Sequence, residues 1–273
     1  MSVSDKIVIS ASGFGLFSWA TNKLYGNLTD VVYNKYATVY EPAGIVSIII
    51  PAFNEEDYIE TCLKSILSQN IIQKYKDYFE CIVVDNESTD RTAKIARQYC
   101  QVTSAPRGLL NARDAGIRAA VGDIIVLCDA DTYYPPNWLN LILRHFHNHE
   151  VIGVHGSVLY SKATLSMRIA SVWAVYLLPH LKRAFAGANS AFRKGVYLKM
   201  GGFDFSIDQT DRVEVAREVE IRFGDYLRQM GKVVFDINAA CFTSSRWHGS
   251  TVLAETERTL TSYQEQRKRG ERF

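Results

Sequence analysis

Long uncharged apolar runs are missing from this chain. None reaches the roughly 20 residues that a helix needs to cross a bilayer. The longest candidate, Ile7 to Asn22, carries no charge but is broken by Ser10, Ser12, Gly13, Gly15 and Ser18. It imitates the core of a signal peptide, yet no convincing small-residue cleavage site follows it. A docking or interfacial segment and a plain structural arm both stay open for it. Paired cysteines are missing as well. Cys62, Cys81, Cys100, Cys128 and Cys241 are scattered, with no C-x-x-C, and several fall inside apolar strand or helix patterns. That usage points to reduced, buried thiols and a cytoplasmic protein, with peripheral contact at the cytoplasmic membrane face left open. A large charge of one sign is missing too. The formal net charge of +2 offers no general attraction to nucleic acid, so no nucleic-acid partner is expected. Neither an internal repeat nor a low-complexity tract is found.

What is present is an ordinary globular composition, 47% hydrophobic and 22% charged over 273 residues. Residues 1–43 read as an appendage ending at the Glu41-Pro42-Ala43-Gly44 break. Residues 44–250 read as one catalytic domain, and 251–273 as a charged tail of helical character. Within the domain, strands and helices alternate. Strands are expected at Ile45–Ile50, Phe79–Val84, Gln101–Ser104, Ile124–Cys128, Ile152–Leu159, Asn189–Phe192 and Lys232–Phe235. Helices are expected at Asp57–Ser68, Asp90–Tyr99, Leu109–Ala120, Trp138–Asn148, Gly195–Met200 and Val219–Met230, with Asp90 or Ser88 placed to cap the second. This alternation, with apolar strand runs, argues for an α/β fold: a mostly parallel central sheet with helices on both faces.

The chemistry gathers at strand ends. Cys128-Asp129-Ala130-Asp131-Thr132 follows the apolar run Ile124-Ile125-Val126-Leu127. Side chains at i and i+2 of an extended chain point the same way, so Asp129 and Asp131 are expected to address one site. A strand end is where an open α/β sheet places ligands. Two hard oxygen ligands there suit a divalent cation, Mn2+ or Mg2+, otherwise held by water and phosphate. Pro51-Ala52-Phe53-Asn54-Glu55-Glu56 closes the first strand, and Asp85-Asn86-Glu87-Ser88-Thr89-Asp90 closes the second. Arg107-Gly108 and Asn111-Ala112-Arg113 open the helix before Gly122-Asp123. Polar and acidic ends of three strands therefore converge on one sheet edge, an arrangement suited to a nucleotide diphosphate held through a metal.

In these motifs the chain resembles the inverting family-2 glycosyltransferases of the GT-A fold. PAFNEE, VDNESTD, ARDAG, VGD and LCDAD occur in the family's order, followed by GANSAFRK (187–194) and GGFD (201–204). The resemblance covers about residues 45–248 and implies a metal-dependent, inverting hexosyltransferase. Its partners would be a nucleotide-sugar donor, UDP-linked before GDP-linked, and a glycan or lipid-linked acceptor.

The resemblance also implies roles residue by residue. Asp85 would read the nucleobase, and Pro51, Ala52, Asn54 and Glu55 would line the base and ribose. Arg113 would approach the nucleotide. Asp129 would reach the ribose or a metal-bound water, Asp131 would ligate the metal, and Ala130 lies between them in the donor turn. Asn86-Glu87 stands where Asp-Gly is usual, and Asp114 replaces an asparagine. For the base that takes the acceptor proton, the family's E-D-x-E motif matches Arg217-Glu218-Val219-Glu220, which selects Glu218. Glu220 is an alternative, and Asp211 or Glu214 would follow from a register error. Beyond the last strand, His248 would be a third metal ligand and Arg246 would lie near the phosphates. Thr243, where processive synthases carry glutamine, weighs against polymerisation.

Three further segments admit more than one reading. His145, His147 and His149 do not share one helical face, so a solvated helix end is preferred to a metal site. Leu165–Leu181 carries an apolar stripe, read as an acceptor-site wall or an interfacial helix. Arg267-Lys268-Arg269 and Arg272 in the tail suit solvent, a phosphate-rich membrane or a homo-oligomer partner. Two rival functions remain. A sugar nucleotidyltransferase would show a Gly-rich, Arg/Lys-bearing loop after the first strand, which PAFNEE is not. An inactive nucleotide- or sugar-binding module would fit the Asn86-Glu87 and Arg217-Glu218 departures, but not the retained Asp129 and Asp131.

Overall fold

The computed structural model describes residues 33–34, 38–160, 187–203 and 213–244, with the side chains of 160 and 213–218 outside that description. Ile7–Asn22, Leu165–Leu181, Arg246, His248 and the tail therefore lie outside the described residues. Among the described residues, eight strands form one sheet in the order β3-β2-β1-β4-β7-β6-β8-β5. They are β1 (Val46–Ala52), β2 (Phe79–Asp85), β3 (Gln101–Ser104), β4 (Ile124–Cys128), β5 (Thr132–Tyr133), β6 (Val151–Tyr160), β7 (Asn189–Arg193) and β8 (Lys232–Thr243). Pairings are parallel through β3-β2-β1-β4 and again for β6-β8, and antiparallel where β7 joins β4 and β6 and where β5 joins β8.

The helices are α1 (Ile59–Leu67), α2 (Asn70–Lys74), α3 (Thr92–Ala96), α4 (Leu109–Ala119), α5 (Trp138–Leu143), α6 (Lys194–Met200) and α7 (Val213–Met230). Each central strand is buried on both sides, as its near-continuous apolar sequence requires. Ile48, Ile50 and Val126 turn to one face, under Leu63 and Ile66 of α1 and Trp138 and Ile142 of α5. Ile49, Ile125 and Leu127 turn to the other, under Ala112 and Ile117 of α4, Tyr197 of α6 and Phe223 of α7. The expected α/β sheet with helices on both faces is what forms.

Some boundaries differ from expectation, each for a local reason. β1 runs through Pro51, because its register with β4 ends at Ile49 and beyond that only β2 lies beside it. The helix expected at Asp90–Tyr99 shrinks to α3. Neither Ser88 nor Arg91 caps it through a side chain; Asp90 instead takes the Thr92 N–H at 2.9 Å. The Trp138–Asn148 helix tightens into a 3-10 turn at Arg144–His147. There His145 and Arg144 both meet Asp236 at 2.8 Å, so His145 leaves the solvated string while His147 and His149 stay exposed. β8 continues well past Phe235, with a bulge opposite Gly156 and Val158. α7 starts six residues before Val219, which puts Glu218 inside the helix rather than at its head.

Candidate active site

The ends of β1, β2 and β4 leave the sheet side by side, at Ala52, Asp85 and Cys128. The loops after β1 and β2 are interlocked. The Asn54 N–H donates to Ser88 Oγ at 3.1 Å, and the Thr89 N–H donates to Asn54 Oδ1 at 2.8 Å. The Glu55 N–H reaches Thr92 Oγ1 at 2.7 Å, and the Glu56 N–H reaches Asp90 Oδ2 at 3.1 Å. Arg91 pairs with Glu56 at 3.0 Å. Asn54 and Glu87 carry the positive φ values of these loops, 53° and 63°. Asp85 accepts the Ser88 N–H at 3.3 Å, and the Asn86 N–H donates to the Ala52 carbonyl at 2.9 Å. Pro51 and Ala52 are buried beneath this edge, Asn54 is exposed, and Glu55 and Asp85 are half-buried. Arg107 stacks on the Phe53 ring at 3.1 Å, closing the rim.

Asp129, Ala130 and Asp131 do not continue β4 in extended form, so the strand-period argument for their common side does not hold. They form a turn, closed by the Thr132 N–H on the Asp129 carbonyl at 3.3 Å. The two carboxylates stay at one end of the sheet nonetheless. Burial first, and then the charges of Asp129 and Asp131, push the Cys241 thiol well up. Tyr134 holds the turn from below. Its hydroxyl accepts the Asp129 N–H at 2.8 Å and donates to the Ala188 carbonyl at 2.9 Å. Asp131 accepts from Thr243 Oγ1 at 3.3 Å, and its carbonyl accepts the Ser244 N–H at 3.2 Å. The end of β8 is thus pinned to the Asp131 turn, and the chain carrying Arg246 and His248 departs from there.

Arg113 lies beneath the turn. It is 2% exposed, and its Nη1 donates to Glu220 Oε1 at 2.7 Å while Nη2 reaches Asp129 Oδ1 at 3.4 Å. Burial pulls the guanidinium down, but Glu220 and Asp129 outweigh it and hold the group above its ordinary value. The close seat of α4 makes this contact geometrically accessible. A Cβ on Gly116 would stand 2.4 Å from Ile49 Cγ2, so only glycine lets the helix descend this far onto the sheet. Asp114 faces the other way, accepting from Tyr197 Oη at 2.6 Å and Arg118 Nε at 2.8 Å. An anionic acceptor serves both donors, which accounts for aspartate where asparagine was expected.

Among the described residues no cluster of three or more His, Cys, Asp or Glu is placed to hold a metal by itself. All five cysteines are free. Burial raises the Cys62 and Cys128 thiols well above their ordinary range, which argues against a thiolate nucleophile here. No helix of the described residues is long and apolar enough to cross a membrane. Sequence reasoning did not find Tyr134 or the Asp131 contact of Thr243, and it placed Gly187 in the GANSAFRK block without a role. Tyr134 stands in Tyr133-Tyr134-Pro135-Pro136, a run whose prolines read as a turn.

Residues 47–192 match the family model described as Glycosyl transferase family 2. Glycosyltransferase AglE of Haloferax volcanii is 35% identical over 102 residues, covering 34% of this chain and 33% of the relative. The chain spans about a third of the length of such curated relatives. Among solved structures, the mannosyltransferase PcManGT of Pyrobaculum calidifontis, in complex with GDP-Man and Mn2+, is 21% identical with a TM-score of 0.53, covering 89% of this chain and 68% of its own. Glucosyl-3-phosphoglycerate synthase of Mycobacterium tuberculosis, with Mn2+, UDP-glucose and phosphoglyceric acid, is 20% identical with a TM-score of 0.55, covering 81% and 80%. These two share the fold.

Proposed function

Because the chain belongs to glycosyl transferase family 2 and has the GT-A fold, we propose that it is a metal-dependent glycosyltransferase. It would move a sugar from a nucleotide diphosphate to an acceptor hydroxyl of a glycan or lipid-linked acceptor, with inversion. The observation that carries this is the half-buried pair Asp129 and Asp131, set in one turn beside the interlocked loops after β1 and β2. Mn2+ in both solved relatives supports a divalent cation. The donor set fits one. The two carboxylates would supply hard oxygens to it, with the diphosphate and water as further oxygen donors. His248 is the proposed further ligand. It lies four positions after Ser244, and that length of chain spans at most about 14 Å, which is enough to return to the Asp131 turn.

The cation, when bound, neutralises charge on the departing diphosphate. The remaining work falls to the chain. Asp85 would accept from the nucleobase, with Pro51, Ala52, Asn54 and Glu55 around base and ribose. Asp129 would reach the ribose or a metal-bound water, and Arg246 would face the phosphates. Glu220 already accepts from Arg113 at 2.7 Å and from the Gly187 N–H at 3.2 Å. Glu218, which matches the family's E-D-x-E motif, is the α7 carboxylate proposed to take the acceptor hydroxyl's proton. UDP is the preferred nucleotide, with GDP next.

The test is donor turnover. The purified chain is incubated with UDP- and GDP-sugars, with Mn2+ or Mg2+ and with chelator, and released nucleotide is followed. Metal-dependent release from one donor class, with the product anomer inverted by NMR, supports the proposal. Release from no donor, or retention of configuration, contradicts it.

A further inference from the structure

Gly187 and Arg113 are fitted to each other. A Cβ at Gly187 would stand 2.1 Å from Arg113 Nη2 and 2.3 Å from Cζ, so the guanidinium lies against bare backbone. The Gly187 N–H donates to the same Glu220 Oε1 that receives Arg113 Nη1. Three distant segments therefore meet on one buried cation: the turn after β4, the start of the 187–193 stretch, and α7. Arg113 is 2% exposed, whereas the Asp129 side chain is 35% exposed. A nucleotide would touch the carboxylate's outer side, and the arginine stands behind it.

The unequal distances are informative. At 2.7 Å Glu220 is the first partner, and at 3.4 Å Asp129 is held more loosely. Asp129 is thereby oriented without being saturated. Charge counting agrees. Asp129, Asp131 and Glu220 against Arg113 leave a formal −2, matching one divalent cation, and without Glu220 the arginine would bear on Asp129 alone. A forked guanidinium can serve two carboxylates at once, which a lysine ammonium on its flexible stem does poorly.

We propose that Arg113 is a positioning residue of this active site, set by Glu220 and Gly187 so that Asp129 faces the donor cation with its charge only partly offset. It rests on the donor-site reading above and replaces direct nucleotide contact as the role of Arg113. Mn2+ binding to the full chain, followed by the EPR signal of free Mn2+ with and without UDP or GDP, is the test. Glu220→Gln keeps an acceptor for Arg113 and Gly187 but releases the guanidinium toward Asp129. It is expected to weaken Mn2+–nucleotide binding at least tenfold in a protein that still folds, at a lower apo melting temperature because the buried guanidinium loses a charged partner, although Glu220 is no ligand. Arg113→Lys is expected to weaken it similarly, and the loss should not add to that of Asp129→Asn in the double variant. Wild-type binding in a folded Glu220→Gln protein overturns the assignment, as does full additivity of Arg113→Lys with Asp129→Asn. If Arg113→Lys does not fold, Glu220→Gln alone decides. Wild-type protein that binds Mn2+ with neither nucleotide sinks the donor-site reading and this assignment together, so the two failures are distinguishable.

Discussion

Glu87 takes a left-handed backbone, φ 63°, at the position where the related turn carries glycine. The turn geometry is kept and the residue bears the strain, because an L side chain there costs about 1–2 kcal/mol. Glycine removes that cost but loses more freedom on folding, about 0.5–1 kcal/mol. Glu87→Gly is therefore expected to stabilise by roughly 0.5–1 kcal/mol, read as a higher urea midpoint at unchanged m. A midpoint that falls would show that the Glu87 side chain contributes contacts outweighing its backbone. At this scale the sequence was legible where a residue's role is local. Asp90 was placed at the start of its helix, and the polar ends of β1 and β2 were placed at one edge. It was not legible for Tyr134, whose hydroxyl acts on Asp129 and Ala188. The Ala188 contact is 54 residues away, so no local pattern announces it.

Elements that are apolar throughout were read almost to the residue. β4, Ile124–Cys128, was bounded as it stands, since an uninterrupted run has only one reading. β8 was cut short at Phe235 because Asp236 and Asn238 interrupt its apolar pattern. Asp236 is nonetheless buried, satisfied by Arg144 and His145 from the 3-10 turn after α5, and the bulge beyond it is fastened by Asn189 Nδ2 on the Ala239 carbonyl at 2.8 Å. The start of α7 was missed because Val213 to Glu218 is half charged, while the buried ridge that marks the helix, Val219, Phe223 and Leu227, begins later. Two acidic residues of α7 now separate by experiment. Glu218→Gln is expected to lower kcat by about 10²–10⁴-fold with KM for the donor little changed, as removal of a general base does. Glu220→Gln is expected to act on donor and metal binding first. A Glu218→Gln enzyme of near wild-type kcat would move the base elsewhere. Gly187→Ala forces a methyl into the Arg113 guanidinium and is expected to cost roughly 1–3 kcal/mol in stability. An unchanged urea midpoint would show that the close contact is not maintained in solution.

At the scale of the whole molecule, the described residues form a two-faced sheet whose parallel half presents the loops proposed to hold the donor, and whose second half returns β8 to the Asp131 turn. Its stability carries a pH signature of its own. Burial first, and then the charge of Arg228, pull the His155 imidazole down to about 4 from an ordinary 6.5. Between those values the unfolded chain binds a proton that the folded chain refuses. His155 therefore costs nothing above about pH 6.5, and stability is lost as pH falls from there toward 4, by at most roughly 3 kcal/mol. Urea midpoints from pH 7 to 4.5 should fall, and less steeply in His155→Leu. Equal slopes would place the proton uptake on other groups.

The donor site is tested most directly by isothermal titration of UDP and GDP into the purified protein, with and without Mn2+, beside Asp131→Ala. The expected result is Mn2+-dependent binding of one nucleotide, lost in the variant while its fold persists. Binding of neither nucleotide, or binding unchanged by Mn2+ and by Asp131→Ala, would contradict a metal-held nucleotide diphosphate at this turn.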